Sequence, residues 1–189
     1  MAANTVVYLL RHGQSEFNEA LAKDPSRDPM LFDPPLTARG RAQAVEAGHW
    51  FRERAIDLVV TSPFVRTLQT TQLAFGSRYI KTAVGSLHRE VLEQSGDIGS
   101  PKSRLAESFP EFDFCDLPER WWYLPHMDFT TKIVAEPEEL VNERMHRFRI
   151  WLGSRSERCI VVVGHGGFFR RLTGRHLQNG EHMEYLGAD

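Results

Sequence analysis

Two short runs restrict the architecture of this chain more than any other feature: Val6-Val7-Tyr8-Leu9-Leu10 and Ile160-Val161-Val162-Val163. Neither alternates polar with apolar positions. A strand with one wet face alternates, whereas a strand covered on both faces reads as a continuous β-branched, apolar run. Asp57 to Thr61 has the same character, and Tyr79 to Val84 is a further candidate strand. Helical patterns lie between them. Thr37 to Arg54 has Thr37 as N-cap and Ala38, Ala42 and Val45 as its apolar face. Ser62-Pro63 offers an N-cap and a first-turn proline to a helix ending near Gly76. Glu136 to Leu152, with Pro137 in its first turn, and Gly166 to Leu172 complete the set. Strands alternating with helices predict an α/β fold, a three-layer α/β/α sandwich around a mainly parallel sheet.

The other segments are less regular. Asn18 to Pro35 reads as loop, with prolines at 25, 29, 34 and 35, and Met183 to Leu186 as a short edge strand. Residues 86 to 130 mix Gly, Pro and aromatics and read as an excursion over the sheet's carboxyl edge, with short helices. A length of 189 residues suits one domain spanning 1–189.

Each of these two apolar runs leads within two residues to a histidine. Arg11-His12-Gly13 follows the first, and Gly164-His165-Gly166-Gly167 follows the last. In a parallel sheet both imidazoles emerge at the carboxyl edge, where open α/β sheets hold ligands. Neutral imidazole is a nucleophile at neutral pH. Arg11 stands beside His12, and Gly13 allows close backbone approach. Arg66, in the first turn of the helix after the second strand, can point back to the same edge, where the helix N-terminus already favours anions. Guanidinium forks onto phosphate oxygens bidentately. Two histidines and two arginines so disposed suggest phosphoryl transfer through a phosphohistidine. Taken singly, each segment also fits an ordinary strand end or a surface arginine.

Composition narrows the alternatives. The net charge of -2 gives no general nucleic-acid footprint, so an anion site must be local. The two cysteines, Cys115 and Cys159, lack metal-type spacing, and Cys159, opening an apolar run, is expected to be a buried thiol. The expected compartment is therefore cytoplasmic. Val6 to Leu10 is too short for a membrane span or signal core, and no membrane partner is expected. Histidines 49, 88, 126, 146, 176 and 182 show no zinc spacing and read as surface residues or residues behind the site, with His88 nearest the acidic stretch. Arg144, Arg147, Arg170 and Arg171 read as surface charges, although a basic residue there could select an anionic leaving group. Trp121, Trp122 and Tyr123, with Phe109, Phe112 and Phe114, either pack the excursion onto the core or wall a pocket.

R-H-G-x-S-x-x-N (Arg11 to Asn18), S-P-x-x-R-T-x-Q-T (Ser62 to Thr70) and the late G-H-G-G together resemble the histidine phosphatase superfamily, the cofactor-dependent phosphoglycerate mutase-like group. Leu36 to Gly40, an L-T-x-x-G stretch followed by Gln43 and Ala44, adds to the likeness. The resemblance implies that His12 attacks phosphorus and that Arg11, Arg66 and His165 hold the phosphoryl oxygens. Asn18 matches a phosphate-contacting asparagine; Gln14, Ser15 and Gly166 are further substrate contacts. It implies a small-molecule phosphomonoester as substrate, no metal and no cofactor. Sugar phosphates, nucleotides, phosphoglycerates, thiamine phosphates and phosphopeptides all stay open as substrates, and the sequence carries no signal for an oligomeric state.

The family also uses a carboxylic acid after the third strand. Glu90 is the choice here, with Glu93 and Asp97 as alternatives. Glu90 followed by Asp97-Ile98-Gly99-Ser100 resembles a fungal-type branch, with Arg89 and Ile98 replacing that branch's Gln and Thr. The commoner E-x-x-x-G-x-x-x-G motif is absent. In that family an inserted segment between the acid and the late histidine goes with mutase activity, so the resemblance, with a compact segment here, implies hydrolysis rather than mutase-type transfer. A phosphate- or protein-binding module without turnover is the remaining alternative, opposed by the presence of Arg11, His12, Arg66 and His165.

Overall fold

The computed structural model describes residues 5–124 and 133–187. Five strands form one sheet in the order β3-β2-β4-β1-β5: β1 Val6–Arg11, β2 Leu58–Thr61, β3 Lys81–Val84, β4 Cys159–Gly164 and β5 His182–Glu184. β1, β2, β3 and β4 run parallel, and only β5 is antiparallel, added to the free side of β1. The helices are α1 Glu16–Lys23, α2 Ala38–Phe51, α3 Val65–Phe75, α4 Lys102–Ser108, α5 Glu138–Gly153 and α6 Gly166–Thr173.

The continuous apolar runs are explained by cover on both faces. Val7, Leu9, Val60 and Val162 meet Phe148 of α5 and Phe168 of α6 on one side. Leu10, Val59, Val161 and Val163 meet Phe51 of α2 and Phe75 of α3 on the other. This is the expected three-layer sandwich. Phe148 and Phe168 are fully buried, and truncating either to Ala would cost about 3–5 kcal/mol.

The structure corrects several expectations. Asn18 to Pro35 is not all loop, because α1 begins at Glu16. Ser15 Oγ accepts the Asn18 N–H while Asn18 Oδ1 accepts the Ser15 N–H, a reciprocal cap that starts a helix before the prolines begin. On α2 the buried residues are Gly40, Ala44, Ala47 and Phe51, whereas Ala38, Ala42 and Val45 face outward. Small residues let α2 approach closely, and alanines alone mark a face weakly. Ser62 does not cap α3. Phe64 holds the cap position, and Asp33 Oδ1, from a distant loop, accepts the Val65 N–H at 2.9 Å. Cys159 is only half-buried, and Arg144 is buried rather than on the surface.

In the excursion a 3-10 turn, Ser95–Asp97, precedes α4. Phe109, Phe114, Leu117 and Trp121 pack on Phe64 and Leu68 of the α3 region. Trp121 Nε1 donates to Ser100 O at 2.9 Å. These aromatics therefore pack the excursion onto the core. The end of the excursion, including Pro125 and His126, lies outside the described residues. Among the described residues no helix is long and apolar enough to cross a membrane.

Candidate active site

Strand register brings the two histidines together. Arg11 of β1 pairs with Gly164 of β4, and His12 N–H donates to Gly164 O at 3.0 Å. His12 and His165 thus leave adjacent parallel strands at the same level, with ring centroids 5.3 Å apart. β2 lies on the other side of β4, where Ser62 N–H donates to Val163 O. Ser62 Oγ reaches His165 Nε2 at 2.8 Å.

The tautomer of His12 follows from its surroundings. Its Nδ1 lies 2.6 Å from Gly13 O, and a carbonyl only accepts, so Nδ1 carries the proton and Nε2 carries the lone pair. Burial, then Arg66 and Arg11, hold the His12 imidazole well below its usual range. Burial, then Arg66 and His12, do the same to His165. Both rings are neutral at physiological pH, as a nitrogen nucleophile requires.

The loop carrying His12 is braced from beneath. Thr37 N–H donates to Gln14 O at 2.9 Å and Glu16 N–H to Pro35 O at 3.0 Å. A Cβ on Gly13 would sit 2.2 Å from Gly40 O, and one on Gly40 would sit 2.0 Å from Gln14 O. Backbone meets backbone there, which requires glycine on both sides. The Leu36 to Gly40 stretch thus works as a support for the histidine loop.

A cavity of about 190 Å³ opens above His12. Arg11, Ser15, Asn18, Arg66, Glu90, Glu93, Asp97 and Arg171 are among the residues lining it. His165, whose ring lies 5.3 Å from that of His12, is fully buried against Phe64 and does not itself line the cavity, and its Nδ1 has no hydrogen-bond partner. Arg11 is held by Leu177 O at 2.6 Å, while its buried Nε is unpartnered. Arg66 donates to Gly96 O at 2.7 Å and approaches Asp97 Oδ1 at 3.4 Å. Asn18 Oδ1 takes its internal bonds, from Ser15 and Asn179, leaving Nδ2 as the donor this residue can offer. Gln14 is not brought to the cavity, because its Oε1 accepts from Thr37 Oγ1. Gly166 packs on the Arg11 guanidinium and lines an adjoining cavity of about 510 Å³ with Arg170, Arg171 and His176.

The three candidate acids have different settings. Glu90 straddles the N-terminus of α6, its Oε2 accepting from Gly167 N at 2.9 Å and its Oε1 from Phe168 N at 2.8 Å. Glu93 sits on the rim, paired with Arg171 at 3.1 Å. Burial first, and the charge of Glu90 second, push the Asp97 carboxyl up to about 7. Sequence reasoning missed Ser62 as the partner of His165, Asp33 as the external cap of α3, and the burial of Arg144. Among the described residues no group of three or more His, Cys, Asp or Glu is arranged to hold a metal ion.

The sequence profile described as "Histidine phosphatase superfamily (branch 1)" matches residues 7–186. Glucosyl-3-phosphoglycerate phosphatase of Mycolicibacterium vanbaalenii is 31% identical over 184 residues, covering 89% of this chain and 72% of that protein. The 2,3-bisphosphoglycerate-dependent phosphoglycerate mutase of Chlamydia muridarum is 34% identical over 122 residues, covering 62% of this chain and 49% of the mutase. The match therefore spans about half the length of that mutase. Among solved structures, the alpha-ribazole phosphatase of Shigella flexneri superposes with a TM-score of 0.63 at 21% identity, covering 95% of this chain and 89% of that one. A mycobacterial glucosyl-3-phosphoglycerate phosphatase, solved with VO3, gives 0.62 at 21% identity over 95% and 92%. At such identities the structural likeness is one of fold.

Proposed function

The chain belongs to the histidine phosphatase superfamily, and from that membership we propose that it hydrolyses a small phosphomonoester through a phosphohistidine on His12, without a metal. The observation that carries this reading is the His12 environment: a neutral ring with its Nδ1 proton held by Gly13 O, its lone pair on Nε2, and Arg11, Arg66 and His165 as neighbours. Similarity to a phosphatase across 89% of the chain supports hydrolysis.

In the reaction His12 Nε2 attacks phosphorus in line with the ester oxygen. Arg11 and Arg66 neutralise the charge that spreads over the equatorial oxygens, and the unpartnered Nδ1 of His165 offers a further contact. The P–O ester bond breaks as Glu90 gives its proton to the departing alkoxide. Water then attacks the phosphohistidine, its proton passes to the Glu90 carboxylate, and the P–N bond breaks to release phosphate. Asp97 is the second candidate donor, favoured by its raised pKa of about 7. The two unpaired cysteines fit a cytosolic setting.

The test is phosphate release from a broad phosphomonoester panel in EDTA, comparing wild type with the His12→Ala, Glu90→Gln and Asp97→Asn variants. Turnover that survives EDTA, is inhibited by orthovanadate and vanishes in His12→Ala is the expected result. Activity lost to EDTA and restored by a divalent ion would overturn the mechanism.

A further inference from the structure

Glu90 lies on a segment without regular secondary structure, between β3 and the 3-10 turn at Ser95. Such a segment has no ladder or helix to fix its backbone, yet a proton donor must be held closely to its productive position. A buried ion-pair cluster behind the segment supplies that hold. Arg144 of α5 is 5% exposed and Glu136 is 6% exposed. Arg144 Nε and Nη2 fork onto Glu136 Oε1 and Oε2 at 3.2 and 2.7 Å. Arg144 Nη1 donates to two carbonyls of the acid-bearing segment, Leu87 O at 3.0 Å and Arg89 O at 2.9 Å. The Glu136 N–H donates to a third, Leu92 O, at 2.8 Å, and the Arg89 side chain closes the cluster onto Glu136 Oε1.

Arg89 O belongs to the peptide that contains the Glu90 nitrogen. Holding it fixes that peptide plane and so the direction in which the Glu90 side chain leaves the backbone. On the far side, the Glu90 carboxylate is held by Gly167 N and Phe168 N of α6. We infer that Arg144 and Glu136 are positioning residues for the reaction, acting through the backbone of residues 87–92 to aim the Glu90 carboxyl at the departing oxygen. Stability alone does not call for an ionic cluster here, since well-packed apolar residues often replace a buried ion pair at no loss. The geometry is also specific to arginine. One planar group makes four bonds to three residues, and lysine has neither the reach in two directions nor the plane.

The inference rests on Glu90 as proton donor, and the experiment separates the two. kcat/KM is measured for an alkyl phosphomonoester, glycerol phosphate, whose alkoxide needs a proton to leave, and for p-nitrophenyl phosphate, whose phenolate does not. The ratio of the two within one protein sample is independent of the fraction folded. Arg144→Lys and Glu136→Gln are expected to lower the alkyl-to-aryl ratio by roughly 10- to 100-fold, as Glu90→Gln does. If Glu90→Gln lowers the ratio but both cluster variants leave it at the wild-type value, the positioning role is wrong and the donor stands. If Glu90→Gln itself slows both esters equally, the donor assignment fails and the inference with it.

Discussion

The imidazoles of His12 and His165 meet edge to face, with ring centroids 5.3 Å apart and planes inclined at 62°. Two histidines this close could not both be protonated without strong repulsion, and burial already disfavours either charge. The pair is therefore a neutral one, with the positive charge of the site assigned to Arg11 and Arg66. That division suits the proposed phosphoryl transfer, in which the nucleophile would keep its lone pair while permanent cations meet the phosphate.

Removing the proposed nucleophile is the most direct test of that division. His12→Ala should retain the fold, because the ring sits at a cavity rather than in the apolar core, and should lower kcat by at least about 10⁴-fold. Rapid acid-free quench of wild type with labelled substrate should trap an acid-labile phosphoenzyme that His12→Ala does not form. A phosphoenzyme of equal yield in the variant would remove His12 from the role.

Ser62 Oγ is 2.8 Å from His165 Nε2, and both residues are fully buried. Deleting the hydroxyl frees the ring to rotate and leaves a buried nitrogen unpaired, which costs about 1–3 kcal/mol of stability. Ser62→Ala is expected to lower kcat by roughly 10- to 100-fold through loss of ring orientation. Wild-type kcat in a well-folded Ser62→Ala protein would show that His165 needs no such partner.

How much of this is legible in the sequence depends on the range of each interaction. Strands covered on both faces have a local signature, so Val6 to Leu10 and Ile160 to Val163 stand out. Residues that follow such strands inherit a known address at the sheet edge, which is why Arg11, His12 and His165 group together on sequence alone. The hydroxyl of Ser62, by contrast, meets a ring 103 positions away. Its local context favours an N-cap, because Ser-Pro before a helix usually is one. Arg144 looks like a surface charge because its partners, Glu136 aside, are carbonyls of Leu87 and Arg89, and backbone acceptors leave no mark in a sequence. The outward turn of Ala38, Ala42 and Val45 has a different cause: against alanines, one valine is a poor guide to which side of α2 faces the sheet.

Asp33 links three segments through one carboxylate. Its Oδ1 accepts the Val65 N–H that starts α3, and its Oδ2 accepts the Ser100 N–H at 2.9 Å. Asp33→Ala should cost about 1–2 kcal/mol through loss of the helix cap, with more from the orphaned Ser100 N–H. A denaturation midpoint equal to wild type would contradict it. Because α3 carries Arg66, the variant should also raise KM.

Gly167 offers a way to disturb Glu90 without touching it. A Cβ on Gly167 would lie 2.6 Å from Glu90 Oε1. The obstructed atom is the end of a flexible side chain, so the carboxylate moves while the backbone stays. Gly167→Ala should thus fold normally yet lose roughly 10- to 100-fold in kcat/KM on alkyl esters. Thermal melting and activity together check it: an unfolded variant or a fully active one would each contradict the geometry.

Acid sensitivity follows from three buried neutral histidines. Burial holds His12 and His165 well below their usual range, and pushes His88 down to about 3. His88 Nε2 faces Val163 O at 3.2 Å and so carries its proton toward that carbonyl. In the unfolded chain each ring takes up a proton as pH falls below about 6.5, whereas the folded rings do not. Their contribution to stability is complete above that pH and declines below it, by up to about 1.4 kcal/mol per pH unit for each ring. Asp97 and Asp33, both raised by burial, act in the opposite sense. Over the interval from about pH 7 down toward 4 the folded form binds protons at Asp97 that the unfolded form does not, which moderates the slope. His88 is the ring to test, since it lies behind the site beside Phe148. His88→Gln can still donate to Val163 O but cannot be protonated. Urea midpoints measured between pH 7 and 5 should fall less steeply in His88→Gln than in wild type. Parallel slopes would mean that the His88 ring titrates in the folded protein as it does in the unfolded chain.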